Sequence, residues 1–395
     1  MNIALNRRRF LTLAGGALGA ALIPSRRNLL TLSSRAIKLM RFYVGTYTGG
    51  GSKGIYHCAF DPSNGRIEIL GATGGIENPS FLAAGPGGRN LFAVSETAEF
   101  EGEPGGSVHA FAVDSDTGGL THLNSRPSNG ADPAHLSIDN HGRFVLVANY
   151  TGGNVCVFPV RDDGRLDPLA SSVRHVGKGP NPKRQNRPHA HSIILDPANR
   201  RAFSADLGID RVMVYAFNRD SGALAPAEQP SVPMKPGAGP RHLDFSPDAR
   251  HIHVVNELNS TVTVLSYDAE SGSLSEADTV STLPPSFTAD NTCADIHVHP
   301  TGRFVYASNR GHDSIAVFVR NSSTGSLKAV QHQSTLGKTP RNFTIDPTGR
   351  FLLVANQQSD SLVVMNIDTA TGVLSPAGVT ASVPDPVCVR FMPAS

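Results

Sequence analysis

One pattern recurs seven times along this chain, and it limits the fold more than any other feature. Its centre is an Arg-led apolar stretch: RFYVGTY from Arg41, RNLFAVSE from Arg89, RFVLVANY from Arg143, RRAFSADL from Arg200, RHIHVVNE from Arg250, RFVYASNR from Arg303 and RFLLVANQ from Arg350. A second short alternating stretch follows, such as STVTVLSYD or DSIAVFVR, and then a polar, glycine-bearing turn such as DTGGL (116–120), DSGAL (220–224) or ATGVL (370–374). Six of the copies are preceded by another apolar stretch that closes in a turn, as in FTIDPTG. Alternation over five to seven residues, bounded by Gly, Pro, Asp and Asn, is the mark of half-buried strands and not of helices. Four short strands at a period of about fifty residues make a blade, and seven blades in a ring make an all-β, seven-bladed β-propeller of antiparallel sheets. No blade can bury both faces alone, so residues 41–395 are expected to form one domain. The first copy lacks its preceding strand, and the chain ends on an unpartnered one, DPVCVRFMP (385–393). The C-terminal strand is therefore expected to complete the first blade, closing the ring and removing two exposed sheet edges.

The composition agrees with such a fold: 39 Gly and 28 Pro in 395 residues suit many turns, and a net charge of +2 excludes a nucleic-acid binder that works by bulk charge. The 4 cysteines, Cys58, Cys156, Cys293 and Cys388, lie far apart without metal-ligand spacing and read as small buried side chains. An even count permits disulfides in an oxidising compartment, but nothing selects a pairing. The N-terminal stretch NRRRFLTLAGGALGAALIPS places Arg7 and Arg8 one residue ahead of Phe10-Leu11 and an apolar run ending near Ile23. That order is the arrangement of a twin-arginine export signal, and the run is too short and small-residued for stable membrane insertion. Residues 1–40 are set apart as signal and linker, giving a periplasmic or exported location; a basic tail on a cytoplasmic protein is the alternative.

Register now locates a site. Stepping back six positions from the turn residues Pro86, Asn140, Pro197, Pro247, Pro300, Pro347 and Pro393 gives Ser80, Ala134, His191, Arg241, Ala294, Arg341 and Val387. These sit on one ring of the innermost strands, which line a propeller's channel. Stepping on seven from the Arg that opens each second strand gives Thr48, Glu96, Tyr150, Leu207, Glu257, Arg310 and Gln357. The two strands of each pair are antiparallel, so both rings open on the same mouth. His191, Arg241, Glu257, Arg310 and Arg341 are thus expected to converge there.

A single arginine in such a channel reads as a structural ion pair. Three arginines, a histidine and a glutamate at equivalent register read as a site for an anion. The proline-stiffened insertion GKGPNPKRQNRPHAH (177–191) enters the same mouth with Lys178, Lys183, Arg184 and Arg187. It is either a solvated basic loop or a device for capturing an anionic substrate, with Arg187 taken as the binding residue. The surplus histidines His189, His242 and His297 do not form an H-x-H plus carboxylate triad on either ring, so no metal is expected. No nucleophile elbow, P-loop or dinucleotide fingerprint is present. Carboxylate, imidazole and guanidinium chemistry remains: Glu257 or His191 can move a proton, while the arginines hold an anion and stabilise an oxyanion.

The segments GAGPRHLDFSPD, HVVNELNSTVTV, ADIHVHPTGRFVYASNR and TPRNFTIDPTGRFLLVANQ resemble the seven-bladed propeller lactonase family, over about residues 41–393. That family also includes the fungal carboxy-muconate cycloisomerase. The resemblance implies hydrolysis of 6-phospho-glucono-1,5-lactone to 6-phosphogluconate, in the oxidative pentose phosphate route, with no metal or other cofactor. It implies a catalytic set of His191, Arg241, Glu257 and Arg310, with Arg341, Glu96 and Arg187 as substrate-binding candidates from the rings and the loop. The expected partner is a small anionic sugar lactone; the oligomeric state is open, and a monomer is compatible with the pattern. An export signal departs from the expected phosphorylated substrate, which is made in the cytoplasm, so an unphosphorylated lactone or lactone acid stays in view. Isomerisation of a lactone to an unsaturated acid would use the same groups. A non-catalytic binding platform is disfavoured by the absence of Trp and only 6% aromatic residues.

Overall fold

The computed structural model describes residues 39–393. The expected export signal, with Arg7 and Arg8, lies outside the described residues. Within them, seven four-stranded antiparallel sheets and one two-stranded hairpin are arranged as a β-propeller, together with two single-turn 3₁₀ segments. Blade 1 consists of Met40–Thr46, Ile55–Phe60 and Ile67–Thr73, and its innermost strand is the C-terminal Pro386–Phe391. Phe42 pairs with Phe391 and Val44 with Val389, so the chain's two ends close the ring as the repeat pattern implies. The innermost strands of blades 2 to 7 are Leu82–Ala84, Pro133–Ile138, Ala190–Leu195, Pro240–Phe245, Thr292–Val298 and Pro340–Ile345.

The repeated motif has a physical role at each end of its strand. In FTIDPTGR, Asp346 Oδ1 accepts the backbone N–H groups of Arg350 and Phe351, and Asp196 and Asp139 do the same in their own blades. In six of the seven copies the Arg that follows reaches sideways to a backbone carbonyl in the outer turn of the next blade. Arg41 donates to Asp114 at 3.2 Å, Arg143 to Arg219 at 2.7 Å, Arg250 to Ser322 at 3.0 Å and Arg303 to Ala370 at 2.9 Å. Arg350 closes the series by donating to Pro62 in blade 1. Apolar side chains fill the space between neighbouring blades. At the closing seam Phe42, Val44, Phe60, Phe351 and Val389 form one cluster, with Phe60 packed edge-on against Phe351 at 5.5 Å. The four cysteines are buried and free.

One departure from regular sheet recurs. Near its entry to the channel, the innermost strand breaks register between Pro133 and His135, Ala190 and Ser192, Pro240 and His242, and Pro340 and Asn342. Blade 6 breaks between Cys293 and Ile296, and blade 1 slips opposite Val387. Each break is a β-bulge, in which an extra residue is left out of the ladder and re-aimed. The residues left out include Ala134, His191, Arg241, Arg341 and Val387. Six of the seven ring positions read from the sequence fall at these bulges, and the seventh, Ser80, lies just before the regular strand of blade 2.

Candidate active site

The second ring lies against these bulges. Five of its members, Glu96, Tyr150, Leu207, Glu257 and Gln357, follow directly on a strand, and their N–H groups donate back to the segment that leads into the innermost strand: Glu257 N donates to Gly239 O at 2.7 Å and Gln357 N to Thr339 O at 2.9 Å. The mouth is thereby assembled from short, doubly anchored backbone.

Glu257 sits at the centre, 4% exposed, with Arg241 at 2% and His191 at 5%. Its Oε1 accepts from Arg184 Nη2 at 2.6 Å, and its Oε2 accepts from Arg241 Nε at 3.0 Å. Arg310 Nη2 lies 3.2 Å from the same Oε2, and His191 Nε2 lies 4.0 Å from it. Burial alone would raise the Glu257 carboxyl, but Arg310, Arg241 and Arg184 outweigh it and hold the group at about 2. His191 is pushed well below the ordinary imidazole value, first by burial and then by Arg241, so it is neutral at pH 7. Arg241 is lowered to about 9 by burial and by the neighbouring Arg310 and Arg341. Burial also lowers Arg310, against the pull of Glu257.

Arg341 stands on the other side of the mouth in a separate chain of contacts. Its Nη2 donates to the Tyr47 hydroxyl at 2.7 Å, and Tyr47 donates on to Glu96, which also accepts from Ser80. Tyr47, Glu96 and Glu257 raise Arg341 above its ordinary value despite burial. His191, Arg241, Glu257 and Arg310 are thus brought together in one cluster, while Glu96 reaches Arg341 through Tyr47.

Arg187 does not join them. It is exposed, and the loop residue that enters the mouth is Arg184, three residues earlier. The loop is pinned between them by Gln185, fully buried, whose Nε2 donates to Leu207 O at 2.8 Å and to Asp210 Oδ1 at 2.7 Å. This clamp turns Arg184 inward and leaves Arg187 facing solvent. Asp210 also explains the G-x-G-P-R motif. Its carboxylate accepts Gly237 N and Gly239 N, both at 2.7 Å. Both glycines have positive φ, 82° and 64°, so the loop wraps the carboxylate in a conformation that other residues resist. Pro240 follows, and Arg241 is delivered at a fixed angle. One aspartate therefore sets two of the four arginines.

Tyr47 and Arg184 are the site residues that register alone misses. The repeat places Thr48 on the ring, yet Thr48 is tied to Asn78 and it is Tyr47 that reaches Arg341. Tyr150 is on the ring and accepts from Arg184 Nη2 at 3.2 Å, stacking on His189 at 4.4 Å. Among the surplus histidines, His242 and His297 both bind Asp295, at 2.8 and 3.1 Å.

Chemically, the mouth offers guanidinium groups to hold an anion and meet developing negative charge, beside a neutral imidazole. Comparison with known proteins adds the following. A family model described as lactonase, seven-bladed β-propeller, matches residues 41–391. The chain is 40% identical over 350 residues to a 6-phosphogluconolactonase of Bacillus subtilis, covering 89% of this chain and 97% of that protein. It is 35% identical to one from Formosa agariphila, covering 76% and 85% respectively. The structure of a periplasmic gluconolactonase from Pseudomonas aeruginosa superposes with a TM-score of 0.85 at 34% identity, covering 91% of this chain and 100% of that one.

Proposed function

The chain belongs to the seven-bladed β-propeller lactonase family, and on that footing we propose that it hydrolyses the ester of an anionic sugar 1,5-lactone of the 6-phospho-gluconolactone type. The observation that carries the anionic class is the charge balance at the mouth. Four guanidinium groups, from Arg184, Arg241, Arg310 and Arg341, face two carboxylates, Glu257 and Glu96. The surplus of positive charge suits a substrate that carries a phosphate and gains a carboxylate as it opens.

The roles follow from what each group has left to offer. Both oxygens of Glu257 are committed to arginines, so its part is to gather them and to lie beside His191. His191 is uncharged and takes the proton of the attacking water at Nε2; the nearby Glu257 carboxylate stabilises the imidazolium that forms. As water adds to the lactone carbonyl, negative charge moves onto the carbonyl oxygen, where Arg241 and Arg310 receive it; one well-placed donor of this kind is worth about 100- to 1,000-fold in rate. The ring C–O bond then breaks, His191 returns its proton to the departing ring oxygen, and the product is the open-chain hydroxy acid. Arg341 and Arg184 bind the remaining anionic part of the substrate.

The test is a proton-release assay over phosphorylated and plain aldonolactones, corrected for spontaneous opening. His191→Asn is expected to lower kcat by about 100-fold or more, with Glu257→Gln and Arg241→Ala also impaired. Full activity in all three variants would end the assignment. A second reading, an exported enzyme acting on an unphosphorylated lactone, draws on the Arg7-Arg8-x-Phe10-Leu11 order and on the periplasmic Pseudomonas relative. The same panel separates the two substrates. Fractionation of the full-length chain against one with Arg7 and Arg8 changed to Lys separates the compartments.

A further inference from the structure

Arg241 has five N–H donors, and three are spoken for. Nε serves Glu257; the two on Nη1 serve Ala294 O and His242 Nε2, the latter at 3.1 Å. The pair on Nη2 has no partner among the described residues, and these are the hydrogens left for substrate. Their aim depends on the anchors behind them, and His242 is the anchor that can change.

An imidazole accepts at Nε2 only when its proton is on Nδ1. His242 Nδ1 donates to Asp295 Oδ1 at 2.8 Å, which sets that tautomer. Asp295 is itself surrounded by donors. Its Oδ1 also takes Ile296 N at 3.0 Å, and its Oδ2 takes His297 Nε2 at 3.1 Å, Asn342 Nδ2 and Phe343 N at 3.3 Å. His242, Asp295 and Asn342 each follow the channel-ring position of their own blade by one residue, in blades 5, 6 and 7. The chain continues, since Asn342 Oδ1 accepts Val389 N of blade 1 at 2.7 Å. Histidine, aspartate and asparagine are 6%, 3% and 3% exposed, so water does not compete for these bonds.

We infer that His242 and Asp295 are positioning residues for the lactone-opening step: Asp295 fixes the Nδ1–H tautomer of His242, and His242 holds Arg241 so that Nη2 meets the oxyanion. This rests on the assignment of Arg241 as an oxyanion donor in the proposed reaction. The logic is that of a carboxylate orienting an imidazole, with a guanidinium in place of a nucleophile.

The neutral amide in Asp295→Asn tests it. An amide has one acceptor and one NH2, while both oxygens of Asp295 face only donors. The NH2 loses least on the Oδ1 side, opposite two donors and not three, and there it faces His242 Nδ1. The imidazole proton is then driven to Nε2, where it opposes Arg241 Nη1. A misaimed donor of this kind is expected to cost about 10- to 100-fold in kcat with KM changed by less than about threefold. In 15N spectra, the His242 imidazole should switch from the Nδ1–H to the Nε2–H pattern. His242→Gln keeps an acceptor for Arg241 and a donor for Asp295, and should retain most of kcat; His242→Leu should not.

Arg241→Ala separates this inference from the reading beneath it. If Arg241→Ala keeps wild-type kcat, the oxyanion assignment falls and the positioning role with it. If Arg241→Ala is impaired but His242→Leu and Asp295→Asn turn over normally, the positioning role alone is wrong. A switched tautomer with unchanged kcat also overturns it. If Asp295→Asn does not fold, the Gln and Leu variants of His242 still decide: equal kcat in both refutes the inference.

Discussion

Arg184→Ala probes how the mouth distinguishes a phosphorylated lactone from a plain one. Arg241 and Arg310 are the deep arginines, with side chains 3% and 13% exposed, whereas Arg184 is 38% exposed at the lip. In the proposed seating, the lactone carbonyl lies at the deep pair and the far end of the substrate, where a phosphate would be, is placed toward Arg184. A charge-assisted hydrogen bond contributes about 1.5–3 kcal/mol when well buried. Solvent screening at the lip reduces this to about 1–2 kcal/mol, or a 5- to 30-fold rise in KM for the phosphorylated substrate. The chemistry lies deeper, so kcat should stay within about threefold, and an unphosphorylated lactone should lose little in either constant. Steady-state rates on both substrates, at low and at physiological salt, provide the measurement. Wild-type KM for the phosphorylated lactone should rise with salt, and the variant should show a weaker dependence. An unchanged KM for the phosphorylated substrate, or an equal fall of kcat on both, would refute the placement of the phosphate at Arg184. Arg187→Ala, which alters an exposed neighbour, should leave both substrates unaffected.

Three further outcomes are expected. In the proposed role His191 acts as a neutral base, so activity should persist as pH falls below 6.5 and be lost only as pH drops through its lowered value; removing a nearby cation in Arg341→Gln raises that value and should move the acid limb of kcat/KM to higher pH. Glu257, held at about 2 against an ordinary 4.5, contributes stability that is fully present above pH 4.5 and is lost as pH falls through about 2. Glu257→Gln should therefore destabilise the protein by on the order of 3 kcal/mol near neutrality, and the gap in melting temperature should close as the solution is acidified; a gap independent of pH would contradict the ion-pair origin. Ending the chain after Asp385 deletes the innermost strand of blade 1, including Val387, Cys388 and Val389 at 3%, 0% and 2% exposed. With about 1.5–3 kcal/mol for each buried valine and a sheet edge left open, the loss rivals the usual 5–15 kcal/mol stability of a domain. The truncated chain should be insoluble or melt far lower, and an unaltered melting curve would count against ring closure by this strand.

Much of the architecture was legible because a repeat is a local signal. Each copy carries its own alternation, its own turn and its own Arg, and seven identical demands have one collective solution. In six of the seven copies the Arg that marks the copy is a staple to the next blade, which is why it recurs whatever the blade lines. Register then brought His191, Arg241, Glu257 and Arg310 to one mouth, although they are spread over three separate copies.

The sequence by itself determined the number of blades, the closing strand and which residues share a level of the channel, since those depend only on period and alternation. It did not determine aim. In an unbroken strand the residue after each ring position would face away from the channel. The bulges place two successive residues against one partner, and that is how His242 and Asp295 come to stand behind Arg241. The choice of Arg184 over Arg187 depended on a buried glutamine and on Asp210, contributed by a different part of blade 4. Such choices are made by hydrogen bonds between segments far apart in the chain, formed only when the ring has closed around them.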